Sequence, residues 1–167
     1  MYQIPLFRCE VKQIKVNDAC EYNAMWHSKL PIIKPSNVNR NKYRICYGMF
    51  DGDDIIAVAI LSSPVNPTLA KQPIIELRRL ANSPVVPHNG ATWFLSRIIK
   101  ALKKDIPDIQ KVISYQDTSV HAGIIYRAGN WVLAHKTKFA SWNHATRQRD
   151  LDQSKADKIR WEYDILK

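Results

Sequence analysis

Glycine is scarce in this chain, with five in 167 residues, and no segment is of low complexity. With 46% hydrophobic and 24% charged residues, the composition is that of a folded domain and excludes global disorder. Long hydrophobic runs are absent too. No stretch reaches the roughly 18 uninterrupted apolar residues of a membrane span, and the N-terminus lacks the apolar segment of a secretion signal. The expectation is a cytoplasmic protein with no membrane partner. Cysteine is limited to Cys9, Cys20 and Cys46, an odd number without metal-ligand spacing, which argues against a disulfide framework and for buried thiols. Acidic residues are in deficit, 15 against 25 Lys and Arg, for a net charge of +10. Such an excess favours a polyanionic partner such as nucleic acid, a phosphorylated cofactor or an acidic surface, or else it only aids solubility.

At this length, one domain can bury roughly 70% of its unfolded surface. Asn17 and Asp18 are good helix caps, and Ala19, Tyr22 and Trp26 follow at helical spacing, so 17–29 is a predicted helix ended by Pro31. Segment 31–42, with two prolines and three asparagines, reads as a loop. YRICYGMF and IIAVAILS, joined through Asp51-Gly52, predict a hairpin, and PIIELRRLA at 73–81 a further strand. In 89–107, Phe94, Leu95, Ile98, Ile99 and Leu102 make one helical face, with Arg97, Lys100, Lys103 and Lys104 opposite. KVISY is a short buried strand, SVHAGIIYRAG a helix, and WVLAHKT a strand. The order α, β, β, β, α, β, α, β is that of an α/β domain, with 136–167 as a basic, aromatic C-terminal extension.

Three features carry chemistry. The helix opening at Asn89, Gly90, Ala91 and Thr92 presents unpaired N–H groups and a positive dipole end, a seat for phosphate. Asp117 lies just past the carboxyl end of a strand, the usual place for ligand contacts in open α/β sheets, with His121 and Tyr126 following. There a phenol can protonate a leaving group and a carboxylate can take a proton from an attacking amine. In the alternative reading, Asp117 caps the helix and Tyr126 only packs. Finally, Lys136, Lys138, Arg147, Arg149, Lys155, Lys158 and Arg160 alternate with Phe139, Trp142, Trp161 and Tyr163. This mixture suits phosphate contact with stacking on an exposed base. Equally, 150–167 reads as a charged helix with Trp161 and Ile165 docked on the core.

The element order, closing on Gly129-Asn130-Trp131, resembles the GNAT fold of acyl-CoA-dependent acetyltransferases, a mixed central sheet flanked by helices. The pyrophosphate-binding signature of that fold, Arg/Gln-x-x-Gly-x-Gly/Ala, falls here at Pro87-His88-Asn89-Gly90-Ala91, which keeps small residues but lacks the basic start. A later GNAT motif, Asn-x-x-Ala-x-x-x-Tyr followed by Gly-Phe, falls on Ser119, Ala122, Tyr126, Asn130 and Trp131 without a gap. The resemblance implies that Tyr126 protonates a departing thiolate.

WHSKLP at 26–31, ELRRL at 76–80, FLSRIIKALKK at 94–104 and SYQDTSVHAGIIYRAGNW at 114–131 together resemble the Mom family of phage DNA-modification proteins, a divergent GNAT branch. That resemblance implies conversion of adenine in DNA to a carbamoylmethyl derivative at its exocyclic amine, protecting phage DNA from restriction. It further implies double-stranded DNA as partner, acetyl-CoA or a related acyl-CoA and iron as cofactors, and His27, Arg79, Asp117 and Tyr126 as the polar centre. A dimer is among the assemblies open to it. His27 would line the acceptor pocket or answer a helix dipole; Arg79 would contact phosphate or pair with Glu76. Iron would call for two histidines and a carboxylate, for which His27, His121 and Asp117 are the candidates. Two rival functions stand beside this one: an acetyltransferase acting on a protein or small-molecule amine, and a non-enzymatic DNA-binding module on the same scaffold.

Overall fold

A computed structural model describes residues 4–27, 32–138 and 156–166. The elements are β1 (Cys9–Ile14), α1 (Val16–Trp26), α2 (Pro35–Asn39), β2 (Arg44–Asp51), β3 (Asp54–Ser62), β4 (Ile74–Asn82), α3 (Gly90–Asp105), β5 (Lys111–Asp117), α4 (Ile124–Ala128), β6 (Val132–Thr137) and β7 (Lys158–Asp164). The strands form one sheet in the order β1-β2-β3-β4-β5-β7-β6, in which only the β4–β5 pair is parallel.

The expected hairpin forms β2 and β3. Asp51 pairs with Asp54, and Gly52 takes a positive φ of 61° in the two-residue turn, where a Cβ would be strained. Both strands are buried on both faces, so they read as continuous apolar runs. Tyr47, Met49, Ala57, Ala59 and Leu61 join the main core beneath α3, whereas Cys46 and Ile60 pack with Ala19 and Cys20 of α1. α3 buries the predicted stripe Phe94, Leu95, Ile98, Ile99 and Leu102 and leaves Arg97, Lys100, Lys103 and Lys104 exposed. Its last turn is tied to the sheet by the Tyr47 hydroxyl, which donates to Asp105 Oδ2 over 2.8 Å. All three cysteines are free and buried, as their spacing predicts, and burial pushes the Cys46 thiol up to about 12.

Several expectations change. Strand β1 lies in a stretch that sequence periodicity left unassigned. The predicted loop at 31–42 contains the short α2, whose first residue is Pro35, a position where the missing N–H costs nothing. The helix expected over 119–129 is confined to Ile124–Ala128, because Gly123 takes a left-handed φ of 71° at its start. Residues 158–164 are not helical. They form β7, which sits between β5 and β6 inside the sheet, and Trp161 and Ile165 do dock on the core. Phe139, Trp142, Arg147, Arg149 and Lys155 lie outside the described residues.

The feature that positions the site is a parting of two strands. β4 and β5 pair only from Ile74↔Lys111 to Leu77↔Ser114, yet β4 runs on to Asn82 and β5 to Asp117. Opposite β3, Ile60 pairs with Arg79 and Leu61 with Leu77, so Arg78 is an extra residue, a bulge that turns β4 just where the pairing ends. Beyond Ser114, β5 stays paired with β7 through Tyr115, Gln116 and Asp117.

Phe94 has no exposed surface, so Phe94→Ala is expected to lower unfolding stability by about 3–5 kcal/mol. Lys100→Ala, on the exposed face of the same helix, should change it by no more than about 0.5 kcal/mol, both read from urea denaturation.

Candidate active site

Between the parted strands lies a cavity of about 310 Å³. β4 lines it with Leu77 to Leu80 and Asn82, and β5 with Ser114, Tyr115 and Asp117. The loop after β5 and the start of α4 supply a third wall, including His121, Gly123 and Tyr126, while His27 enters from the end of α1 and Ala91 from the start of α3. Six residues singled out in the sequence, His27, Arg79, Ala91, Asp117, His121 and Tyr126, thus share one cavity. Gly90 and Thr92 adjoin Ala91 without lining it.

Tyr126 is the most firmly held of these. Its ring stacks on Trp161 at 5.4 Å and 14° between planes, and meets the edge of Trp131 at 5.4 Å and 69°. Its hydroxyl lies 2.9 Å from Ser114 Oγ. Burial raises its pKa, with the Ser114 hydrogen bond acting the other way, so the phenol is a protonated donor at neutral pH.

The loop beside it hangs on Gln116. The Gln116 amide donates to the His121 carbonyl and accepts from Trp161 Nε1 at 2.8 Å. A Cβ at Gly123 would lie 2.4 Å from Gln116 Oε1, so glycine is required there by space as well as by its φ. Trp161 of β7 therefore supports both Tyr126 and the loop that carries His121.

Asp117 does not cap α4, which begins seven residues later. Its Oδ1 accepts from Ser119 N–H at 2.9 Å and Ser119 Oγ–H at 2.6 Å, and its carbonyl accepts from His121 N–H at 3.1 Å. The carboxylate is thereby oriented by a tight turn at the mouth of the cavity.

His27 follows the last turn of α1, its N–H bonded to the Asn23 carbonyl at 2.9 Å. Desolvation lowers its pKa most, and the nearby charges of Arg79 and His121 lower it further. Burial and cationic neighbours outweigh the helix dipole that would favour its charged form. Arg79 does not form the ion pair considered for it with Glu76. That pair is made by Arg78, whose Nε is 3.5 Å from Glu76 Oε1, while Arg79 Nη1 donates to the Arg78 carbonyl at 2.7 Å. The bulge is the reason, since it brings both arginines to the cavity. Burial and Arg78 lower Arg79 to about 10, still cationic at neutral pH.

α3 begins at Gly90 behind Asn89 in a left-handed conformation, with no side-chain cap on its first N–H groups. A Cβ at Gly90 would be 2.6 Å from Val86 Cγ1, so the close packing of this turn depends on glycine. Among the described residues no group of three His, Cys, Asp or Glu is arranged to hold a metal. The suggested iron set of His27, Asp117 and His121 does not assemble, because α4 starts after His121 instead of carrying it and Asp117 on one helical face. Three site residues carried no sequence signal of their own. Ser114 and Gln116 sit in a short apolar strand, and Asn82, whose buried Oδ1 has no hydrogen-bond partner, ends β4.

Because the folded-state pKa of His27 is depressed, its neutral form contributes stability that is present at pH 7 and lost as pH falls below its ordinary 6.5. Wild-type protein is thus expected to lose more stability than His27→Gln between pH 7.5 and 5.5, measured by denaturant titration at each pH.

The Mom protein family matches residues 8–163. No curated protein matches the chain. Solved structures similar to it include the ribosomal-protein-S18-alanine N-acetyltransferase of Escherichia coli, at 13% identity and a TM-score of 0.65, covering 94% of each chain. A GNAT-family acetyltransferase of Streptococcus pneumoniae shares 10% identity with a TM-score of 0.63, covering 93% of this chain and 98% of its own. An acetyltransferase of Bacillus subtilis in complex with CoA shares 13% identity with a TM-score of 0.59, covering 94% and 97%. With a match over nearly its whole length and the GNAT fold beneath it, the chain belongs to the Mom protein family.

Proposed function

We propose that this protein is a transferase that modifies adenine in DNA at its exocyclic amine, giving a carbamoylmethyl-type derivative that shields phage DNA from restriction. The observation that carries the reading is the pairing, in one cavity, of a buried protonated phenol at Tyr126 with an oriented carboxylate at Asp117. Membership of the Mom protein family supports DNA as the acceptor, and the sequence resemblance implies adenine.

The exocyclic amine of adenine is conjugated with its ring and is a weak nucleophile, so a proton must leave as the new bond to nitrogen forms. Asp117, at the cavity mouth, takes that proton. Tyr126, backed by Ser114, gives one to the leaving group. Acid–base catalysis of this kind contributes about 10²–10⁴-fold in rate. His27 lines the acceptor side, neutral at pH 7, where it does not compete for the carboxylate.

Three features of the cleft suit an acyl-CoA: among the described residues the β4–β5 pairing ends at Leu77, Asn82 offers a buried oxygen without a hydrogen-bond partner, and the uncapped start of α3 enters the lining at Ala91. Arg79 adds positive charge. When bound, such a cofactor would supply an acyl carbon and a thiolate leaving group, while the methylene linkage and amide nitrogen of a carbamoylmethyl product would come from a separate donor. The related B. subtilis structure contains CoA. The described residues do not fit iron, and no step is drawn through it.

Double-stranded DNA is the proposed partner. Reaching the amine requires turning the base out of the helix, at a cost of a few kcal/mol. Exposed Lys136 and Lys138 on and after the edge strand β6, together with the net charge of +10, suit phosphate contact, whereas Arg160 is committed to Glu162 at 3.1 Å.

Nucleoside mass spectrometry of plasmid DNA from cells expressing the wild type should show a mass-shifted deoxyadenosine. Tyr126→Phe and Asp117→Ala should each lower it by about 10²-fold or more. Unmodified DNA with soluble wild-type protein would contradict the proposal and favour acetyl transfer to a protein or small-molecule amine. Full modification by both variants would remove their catalytic roles.

A further inference from the structure

A second cavity, of about 540 Å³, lies beside the first. α1 lines it with Tyr22 and Trp26, the start of β3 with Asp54 and Ile55, and the segment after β4 with Ser83 and Val85. The two cavities share their partition. Trp26 lines the second and His27, the next residue, the first; Ser83 lines the second and Asn82, the residue before it, the first. Successive Cα atoms are about 3.8 Å apart, so at both places the wall is about one residue thick. One side of the second cavity is aromatic. Trp26 follows Tyr22 by one helical turn with ring centroids 6.4 Å apart, and the buried Tyr22 backs an indole that is 43% exposed. Val85, also exposed, lines the same concavity, so the apolar surface there is grouped rather than scattered. The other side is acidic. Asp51 is paired with Arg8 at 3.1 Å, whereas the exposed Asp54 makes no ion pair among the described residues. In a chain of net charge +10, no described lysine or arginine lines this cavity, so it is unsuited to a phosphate.

We infer that this second cavity is a nucleobase subsite: it receives a base next to the target adenine in the strand, stacked on Trp26, with the exocyclic amine of that base donating to the Asp54 carboxylate. The inference rests on the reading of the first cavity as the place where adenine reacts. A partition one residue thick suits neighbouring nucleotides of one strand, whose bases follow one another at about 3.4 Å in the duplex. Stacking on an aromatic ring tolerates any base, and so gives affinity without selection. The carboxylate adds the selection. It accepts from an amine such as cytosine N4, whereas thymine turns a carbonyl oxygen and a methyl group toward it. The subsite thus replaces base stacking lost when adenine is turned out of the helix, and favours an amino-bearing neighbour over thymine.

The test uses the full chain and single-stranded oligonucleotides that carry one adenine flanked on both sides by cytosine, by thymine or by abasic sites. Affinity is read by fluorescence anisotropy, and the Trp26 indole N–H resonance, assigned with Trp26→Phe, by NMR. The cytosine-flanked strand is expected to bind most tightly and to move that resonance. Replacing the flanking bases by abasic sites should weaken binding about tenfold, and Trp26→Ala should cost about as much with the cytosine-flanked strand and little with the abasic one. Trp26→Phe keeps a ring to stack on and should bind nearly as the wild type does. Asp54→Asn, which gains an N–H donor, should bring the thymine-flanked strand up toward the cytosine-flanked one. An unmoved resonance, or equal affinities for the three strands in the wild type, would overturn the subsite. So would a shift of the Trp26 resonance by acetyl-lysine amide with none by the oligonucleotides, which points to a cationic peptide instead. None of these readouts depends on base modification. The expected binding pattern beside unmodified plasmid DNA would contradict the proposed function alone, whereas modified DNA without that pattern would contradict the subsite alone.

Discussion

The parting of β4 from β5 after Leu77 and Ser114 is the constraint on which the remaining site geometry depends. A parallel pair that continued would satisfy its own N–H and C=O groups and leave no cavity. Two features prevent this. The Arg78 bulge turns β4 while β3 holds it on the other side, and β7 keeps β5 in register to its last residue. Sheet hydrogen bonds are thus retained on the outer side of each strand, and the inner side is left to line the cleft. The same β7 supplies Trp161, which stacks on Tyr126 and holds Gln116. A strand far along the chain therefore holds in place β5, the Tyr126 ring and the loop that carries His121.

The cavity sets a few titratable side chains among apolar ones, and its electrostatics follow from burial. Tyr126 is kept protonated by desolvation; His27 is kept neutral by desolvation together with the charges of Arg79 and His121. Asp117, nearer solvent and bonded to Ser119, stays oriented at the mouth. In the proposed reaction Tyr126 would give a proton deep within the cavity and Asp117 would take one nearer solvent, the two protons moving at opposite ends of the reacting system. The buried, unpaired Asn82 Oδ1 and His27 Nδ1 are costs the fold bears at this cavity, where a ligand can relieve them.

Much of this was legible where local physics decides. The hairpin at Asp51-Gly52 and the buried stripe of α3 follow from turn chemistry and a 3.6-residue period. His27, Arg79, Asp117 and Tyr126 were named through resemblance, and the fold does bring them to one cavity. What sequence obscured was long-range. β7 carries Lys158, Arg160, Glu162 and Tyr163 among its residues, and such a string reads as a solvated tail until β5 and β6 are seen on either side of it. The apolar spacing of 119–129 hides Gly123, whose left-handed backbone and close packing against the Gln116 amide leave no room for a side chain. Glu76 is near enough in sequence to pair with either Arg78 or Arg79. The bulge, which depends on registry with β3, gives Glu76 to Arg78 instead.

The central claim is that the cleft opened by the parted strands is where the donor binds. Backbone hydrogen exchange on the full chain, with and without coenzyme A, tests it most directly. The account predicts slowed exchange at 78–82, 90–92 and 114–126 together. Slowing confined to another surface, such as the second cavity lined by Tyr22, Trp26 and Val85, or none at millimolar coenzyme A, would contradict it.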